Sequence, residues 1–326
     1  MALLAASHTS AGSCGIHRAP ERRLPKDQLT SCKRDSKIDI IRRTDQMAIQ
    51  YDIHMHSSFS TDSDAPMEMM VRGAMEKGLA GVCFTEHLDL DFPWQSYSES
   101  PGAFEADPKA VYSEITRLRE TLQEDTDKPS FRIGFGMEFG MQPHLSDRYH
   151  EVAKQYPLDF ITASQHLVRS FDPYYPDTWK NTAPADLIDC YYREMLSNLR
   201  RMRDWDSLSH MDYIIRYIPD ASGTVYDSMR FHSEVIDEIL RHVISQGKCL
   251  EVNTAGFRYG LGQPNPSESI LRRYRALGGS RITIGADAHE PEHIASAFDQ
   301  AQALLRSLGF RTYCIFIGRR MQELQL

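Results

Sequence analysis

No part of the 326-residue sequence approaches the ~18 to 20 consecutive apolar residues of a membrane-spanning helix. There is no CxxC pair either. The six cysteines (Cys14, Cys32, Cys83, Cys190, Cys249, Cys314) are scattered, and several sit in apolar runs such as Gly81-Val82-Cys83-Phe84. This usage fits a reduced, cytosolic protein whose thiols pack in the core, and it argues against a cysteine-held zinc. A basic excess is missing too: the net charge of −8 and pI near 5.9 speak against nucleic acid as the main partner, because a phosphate backbone needs a basic footprint. No repeat or low-complexity tract stands out. Hydrophobic residues at 41% and charged residues at 25% are ordinary for a globular chain and exclude wholesale disorder. The length suits one large α/β domain plus an extension.

That extension is expected at residues 1–46, where nine basic residues face five acidic ones and Ser, Thr and Pro recur. It reads as an unstructured tail or upstream start ahead of Met47. A transit peptide is the alternative, with Arg18, Arg22 and Arg23 in its favour and Glu21, Asp27, Asp35 and Asp39 against it.

From residue 49 onward, short apolar segments alternate with longer amphipathic ones. Strands are expected at 49–53, 81–85, 131–137, 160–164, 207–210, 248–253 and 282–286. Helices are expected at 67–77, 109–123, 185–202, 231–245 and 291–305, with an eighth apolar stretch at 311–317 that adds a strand or covers the barrel. Seven strands with interleaved helices imply a parallel sheet closed as a (β/α)7 barrel.

Such a barrel gathers its strand C-termini on one face, and there the metal-ligating residue types recur. The first strand ends in His54-Met55-His56, a spacing that turns both imidazoles to the same side. Glu86-His87, Glu138, His166, His210 and Asp287-Ala288-His289 end five others, and Asp62 follows in the first loop. A structural core would place Val, Ile or Leu at these positions, because clustered acids and imidazoles without a cation carry a heavy desolvation cost. Nine such residues exceed the needs of one ion and imply two or three divalent ions; imidazole with carboxylate suits Zn, Mn or Fe alike.

In order and spacing, His54-x-His56, Glu86-His87, Glu138, His166, His210 and Asp287-x-His289 resemble the motifs of the polymerase and histidinol phosphatase (PHP) superfamily, over residues 49 to about 310. Within it, Thr85-Glu86-His87-Leu88-Asp89, Gln165-His166-Leu167-Val168 and Asn253-Thr254-Ala255-Gly256-Phe257-Arg258 are most similar to the stand-alone histidinol-phosphate phosphatases. Asp62 stands where many members have His. The resemblance implies a distorted (β/α)7 barrel of the PHP type with a trinuclear site. His54, His56 and Asp287 would hold one ion, Glu138 would bridge to a second held by His166 and His210, and Asp62, His87 and His289 would hold a third.

The implied activity is hydrolysis of L-histidinol phosphate by a metal-bound hydroxide, a step of histidine biosynthesis. The alternative is a PHP phosphoesterase acting on nucleotides or other small phosphate esters. Phosphoryl oxygens need donors, and Arg258, Arg216 and the neighbouring Tyr217 are placed to supply them. Glu86 either orients a ligand or faces the substrate amine. The long segment 88–107, with Asp89, Asp91, Trp94 and Tyr97, is either a lid or a surface excursion.

Overall fold

Seven segments rich in buried β-branched, aromatic and small residues form a parallel sheet in chain order: β1 (Tyr51–Met55), β2 (Gly81–Leu88), β3 (Arg132–Gly140), β4 (Phe160–Ser164), β5 (Ser207–Leu208), β6 (Cys249–Asn253) and β7 (Ile282–Gly285). The structure, a computed structural model, describes residues 49–97, 99–124, 131–219 and 226–326; the expected extension, with Cys14 and Cys32, lies outside the described residues. β2, β4 and β6 are buried at every position, as strands covered on both faces must be.

Helices connect the strands: α1 (Met67–Glu76), α2 (Pro108–Glu124), α3 (Ser146–Gln155), α4 (Pro184–Arg201), α5 (Ser228–Ser245), the single turn α6 (Ala255–Arg258), α7 (Glu268–Ala276) and α8 (Phe298–Ser307). In α4 the buried set Leu187, Ile188, Tyr191, Tyr192, Met195, Leu196 and Leu199 repeats every three to four residues and faces the sheet. Pro184 opens this helix, Asp186 lies in its first turn and Arg200 and Arg201 in its last, each matching the helix dipole.

The sheet closes between β1 and the end of β7. There Asp287 N donates to His54 O and His56 N donates to Ala288 O, both at 2.8 Å. Closure brings the two backbones so near that a Cβ on Gly285 would be driven into the Cβ of His54. Buried Asp52 ties the same seam, accepting from Ala286 N at 3.0 Å and Ala295 N at 2.9 Å, and burial pushes its carboxyl up to about 6.

Asp52 also explains a departure from the helix expected at 291–305. Residues Pro291–His293 form a 3-10 turn, and Ala295 and Ala297 adopt positive φ while the chain is drawn toward Asp52, so α8 starts only at Phe298. The strand expected at 207–210 stops at Leu208, because His210 turns out of it with φ +20.

The eighth apolar stretch does not join the barrel. It forms β8 (Thr312–Ile317), which pairs antiparallel with β9 (Arg320–Gln325). This hairpin covers the N-terminal ends of the strands: Gly318 N donates to Asp159 Oδ1 at 2.8 Å, and Tyr313 OH accepts from Gln50 N at 3.0 Å. Asp159, just before β4, also accepts from Arg119 at 2.8 Å, Arg132 at 2.9 Å and Phe135 N at 3.0 Å. Cys83, Cys249 and Cys314 are buried free thiols. Among the described residues, no helix is long and apolar enough to cross a membrane.

Asp159 thus fastens three layers at the barrel floor. Asp159→Ala is expected to lower unfolding stability by about 2 to 4 kcal/mol, discounted for the partial exposure of its arginine partners; chemical denaturation that finds less than about 0.5 kcal/mol would remove this role.

Candidate metal centre and active-site cleft

All nine expected ligand residues converge at the C-terminal ends of the strands. Glu138, on β3 and 0% exposed, lies at their centre. Its Oε1 accepts from Ser164 Oγ at 2.5 Å and His210 Nε2 at 2.9 Å, and lies 3.2 Å from His166 Nε2. Its Oε2 faces His87 Nδ1 at 3.0 Å, His54 Nε2 at 3.4 Å and His56 Nε2 at 3.5 Å. Asp287 Oδ1 closes the other side, 3.7 Å from His54 Nε2 and 3.5 Å from His56 Nε2. Asp62, 39% exposed at the rim, meets His289 Nε2 at 3.1 Å and His87 Nε2 at 3.4 Å.

These atoms fit cations better than they fit each other. His54 Nε2, His56 Nε2, His87 Nδ1, Glu138 Oε2, His210 Nδ1 and His289 Nε2 are buried with no hydrogen-bond partner, and such atoms are rare in a native interior. Ligand atoms fall within 4.8 Å of one another in four overlapping groups: His54/His56/Glu138, His54/His210/Asp287, His87/Glu138/His166 and His56/His87/His289. Each group could hold a metal ion. Glu138 belongs to two of them, in keeping with a bridging carboxylate; the overlap of the groups does not reproduce the expected division into three sets one for one.

Electrostatics point the same way. Burial, reinforced by the flanking imidazoles of His87 and His289, pushes His56 down to about 3, leaving it neutral with a lone pair to give. Burial alone would raise the Asp287 carboxyl, but the positive field of His54 and Arg216 holds it well below the usual range. Asp287 and His210 also carry positive φ, so the non-glycine backbone strain at the strand ends coincides with the site.

A layer of polar side chains orients the ligands. His166 Nδ1 donates to Asp89 Oδ1 at 2.6 Å, and His54 Nδ1 to Glu251 Oε1 at 2.6 Å. Ser60 Oγ donates to Glu86 Oε2 at 2.5 Å, so its oxygen accepts from His56 Nδ1 at 3.2 Å and leaves Nε2 as the free lone pair. Glu86 also accepts from Ser57 N at 3.1 Å and Ser57 Oγ at 2.5 Å. It is therefore an orienting group behind His56 and does not line the cleft.

Above the ligands opens a cleft of about 640 Å³. Its lining includes Arg216, Arg258, Tyr213 and Tyr217 together with Glu99, Asp172, Phe92, Phe104 and Tyr175. The segment 88–107 does border the cleft, through Phe92, Glu99 and Phe104. Tyr97 pins it to the loop after β4, stacking on Tyr175 at 3.8 Å while its hydroxyl accepts from Asp172 N at 2.6 Å. Trp94 takes no part in the lining, Asp91 pairs at the surface with Arg148 at 2.7 Å, and Asp89 turns inward to His166.

Arg216 is no surface arginine. Its side chain is 2% exposed and donates to Asn265 Oδ1 at 2.8 Å, Asn253 Oδ1 at 3.1 Å and Asp287 Oδ2 at 3.2 Å. Arg258 donates to the carbonyls of Ala286 at 2.7 Å and Asp287 at 2.9 Å. Sequence reasoning missed Glu251, Asp172, Ser60 and Asn253; a charged residue inside the otherwise apolar run Cys249-Leu250-Glu251-Val252 was the available signal for the first.

Because a lysine ammonium reaches only one of the three acceptors in that fork, Arg216→Lys is expected to destabilise the fold by about 2 to 4 kcal/mol. Unfolding in urea would show it, and an unchanged midpoint would mean that the fork carries no stability.

Comparison with known proteins places this geometry. A protein named probable histidinol-phosphatase from Clostridium acetobutylicum is 28% identical over 276 residues, 84% of this chain and 98% of that one. The histidinol-phosphatase of Lactococcus lactis is 28% identical over 277 residues, 83% of this chain and 96% of that one. The crystal structure of histidinol phosphate phosphatase from Lactococcus lactis, complexed with zinc, L-histidinol and phosphate, superposes with a TM-score of 0.73 at 26% identity, covering 84% of this chain and 99% of that one. A Listeria monocytogenes chain at 17% identity shares the fold, with a TM-score of 0.63 over 77% of this chain. The PHP domain model matches residues 52–255, which hold the ligand residues from His54 to His210, and on that match the chain belongs to the PHP domain family.

Proposed function

We propose that the protein hydrolyses L-histidinol phosphate to L-histidinol and phosphate at a trinuclear centre, as a step of histidine biosynthesis. The observation that carries the reading is the juxtaposition of unpartnered ligand atoms with a cleft lined by groups of two kinds, guanidinium donors and carboxylates set among aromatic rings. The ends of the substrate differ in the same way, a phosphate dianion at one and an ammonium with an imidazole at the other. The likeness to a zinc-, histidinol- and phosphate-bound relative supports it.

His54, His56, Asp62, His87, Glu138, His166, His210, Asp287 and His289 would hold two to three divalent ions, with Zn, Mn and Fe all suited to the donor set. Bound ions supply an acidified water as nucleophile and neutralise charge on the phosphoryl oxygens.

The chain's own residues do the rest. Arg258, anchored by its two carbonyl contacts, and Arg216, with three of its five N–H groups committed to protein acceptors, hold guanidinium donors on the cleft wall beside Asp287. Tyr217 packs between Tyr213 and Tyr259 on the same wall and offers a hydroxyl. In the same cleft, Glu99 and Asp172 would attract the substrate's cationic end, and the Phe92 and Phe104 faces would receive its ring. Binding at both ends fixes the ester between the ligand shell and the arginines, where orientation alone lowers the barrier.

Phosphate release from L-histidinol phosphate, set against nucleotides and sugar phosphates, tests the reading. Turnover should strongly favour histidinol phosphate, disappear on chelation and return with added divalent metal. Preference for a nucleotide would keep the site and remove the pathway. His56→Ala and Asp287→Ala should abolish turnover and lower bound metal. Arg258→Ala should cut kcat/KM by roughly 10- to 100-fold, chiefly through KM, the effect of losing a charged hydrogen bond to phosphate.

A further inference from the structure

Glu251 lies on β6, 1% exposed, and its carboxylate joins three parts of the site. Oε1 accepts from His54 Nδ1 at 2.6 Å; Oε2 accepts from His210 N at 2.9 Å and from Asn253 Nδ2 at 3.2 Å. One buried carboxylate therefore fixes the imidazole of the β1 ligand, the backbone at the positive φ of His210, and the amide that reaches Asp287 Oδ2 at 3.3 Å.

We propose that Glu251 is a positioning residue that sets the tautomer of His54, and through it the metal affinity of the centre. The inference rests on reading His54 as a metal ligand. Because both carboxylate oxygens accept, His54 must carry its proton on Nδ1, which leaves Nε2 as a lone pair directed between Glu138 and Asp287. A neutral amide of the same shape cannot serve both ends. Its single oxygen belongs with the two donors, His210 N–H and the Asn253 amide, so its NH2 is directed at His54 Nδ1. That drives the imidazole proton to Nε2 and removes the lone pair.

The prediction runs against the usual ranking of conservative and non-conservative changes. Glu251→Gln keeps the shape and should fold with a near-normal thermal midpoint in the metal-free state, yet one zinc site should weaken by roughly 10- to 100-fold. Glu251→Ala should be less stable, but water in the space it opens can accept from Nδ1–H, so it should retain more zinc than Glu251→Gln. A merely structural role gives the opposite order, with zinc retention following stability.

The experiment is zinc stoichiometry and competitive-chelator titration of the full chain, alongside metal-free melting, for wild type, Glu251→Gln, Glu251→Ala and His54→Ala. Zinc retention in the order wild type, Ala, Gln supports the proposal. Wild-type zinc affinity in Glu251→Gln overturns it, as does retention that follows stability. If the alanine variant fails to fold, the comparison of wild type with glutamine decides. Zinc loss in His54→Ala but not in Glu251→Gln would sink the positioning role alone, whereas full zinc in His54→Ala would sink the ligand reading of His54 and the proposal together.

Discussion

Everything in the site is arranged around one fully buried carboxylate. Glu138 Oε1 accepts from Ser164 and His210 and adjoins His166, while Oε2 faces three imidazoles without a hydrogen bond. Leaving a charged oxygen desolvated is among the costlier things a protein interior can do. The barrel tolerates it because ligand atoms from β1, β2, β4, β5 and the end of β7 surround it and present lone pairs to the same small volume. A cation is the one partner that satisfies carboxylate and imidazole lone pairs together, and protons are its competitors. Burial by itself would lower His54, but the carboxylates of Glu251, Glu138 and Asp287 hold it well above the usual imidazole range, so metal and proton contend for the same nitrogen.

That convergence requires the sheet to close, and closure depends on details of the β1–β7 seam. His54 and Asp287 exchange a backbone hydrogen bond, so the seam that completes the barrel also sets the spacing of two ligands. Gly285 allows the approach because any side chain there would collide with His54, and Asp52 draws the backbone at Ala286 and Ala295 toward β1. Gly140 does the same for a second pair: a Cβ there would displace the Asp89 carboxylate that orients His166. Both glycines are therefore placed by ligand geometry more than by turn conformation.

What the sequence makes legible follows from the same physics. Strands buried on both faces are near-continuous apolar runs, so all seven were visible, and ligand residues stood out because His, Asp and Glu end runs that packing would finish with Val or Leu. α3 was missed because it buries only Tyr149, and α7 because arginines occupy most of the turns around Ile270, Leu271 and Tyr274. β9 leaves most of its length exposed, so its pattern carries no core signal. The boundary errors at His210 and Pro291 lie where side-chain contacts override propensity: the backbone of His210 is held by Glu251, and the chain around Ala295 by Asp52. Glu251 shows in the sequence only as a charge inside an apolar run. Its partner His54 lies 197 residues away, and no local pattern encodes that pairing.

The cleft adds a constraint that the ligand shell alone does not. Guanidinium groups and metal ligands make one end electropositive once cations are bound, which would attract any phosphate ester with little discrimination. In the proposed reading, selectivity would come from other groups of the lining, Glu99 and Asp172 set among aromatic rings. Asp172 is 7% exposed, and burial pushes its carboxyl up to about 6, so near neutral pH it holds a poorly hydrated charge that an incoming cation would offset. An anionic leaving group would gain no such offset. Tyr97 and Tyr175 stack across two loops and hold this acidic end in place: Tyr97 OH accepts from Asp172 N, and Tyr175 OH donates to Glu99 Oε1 at 2.9 Å. On that reading the two sets of groups would divide the work, with phosphate binding at the barrel rim and discrimination in the loops, which can vary without disturbing the centre.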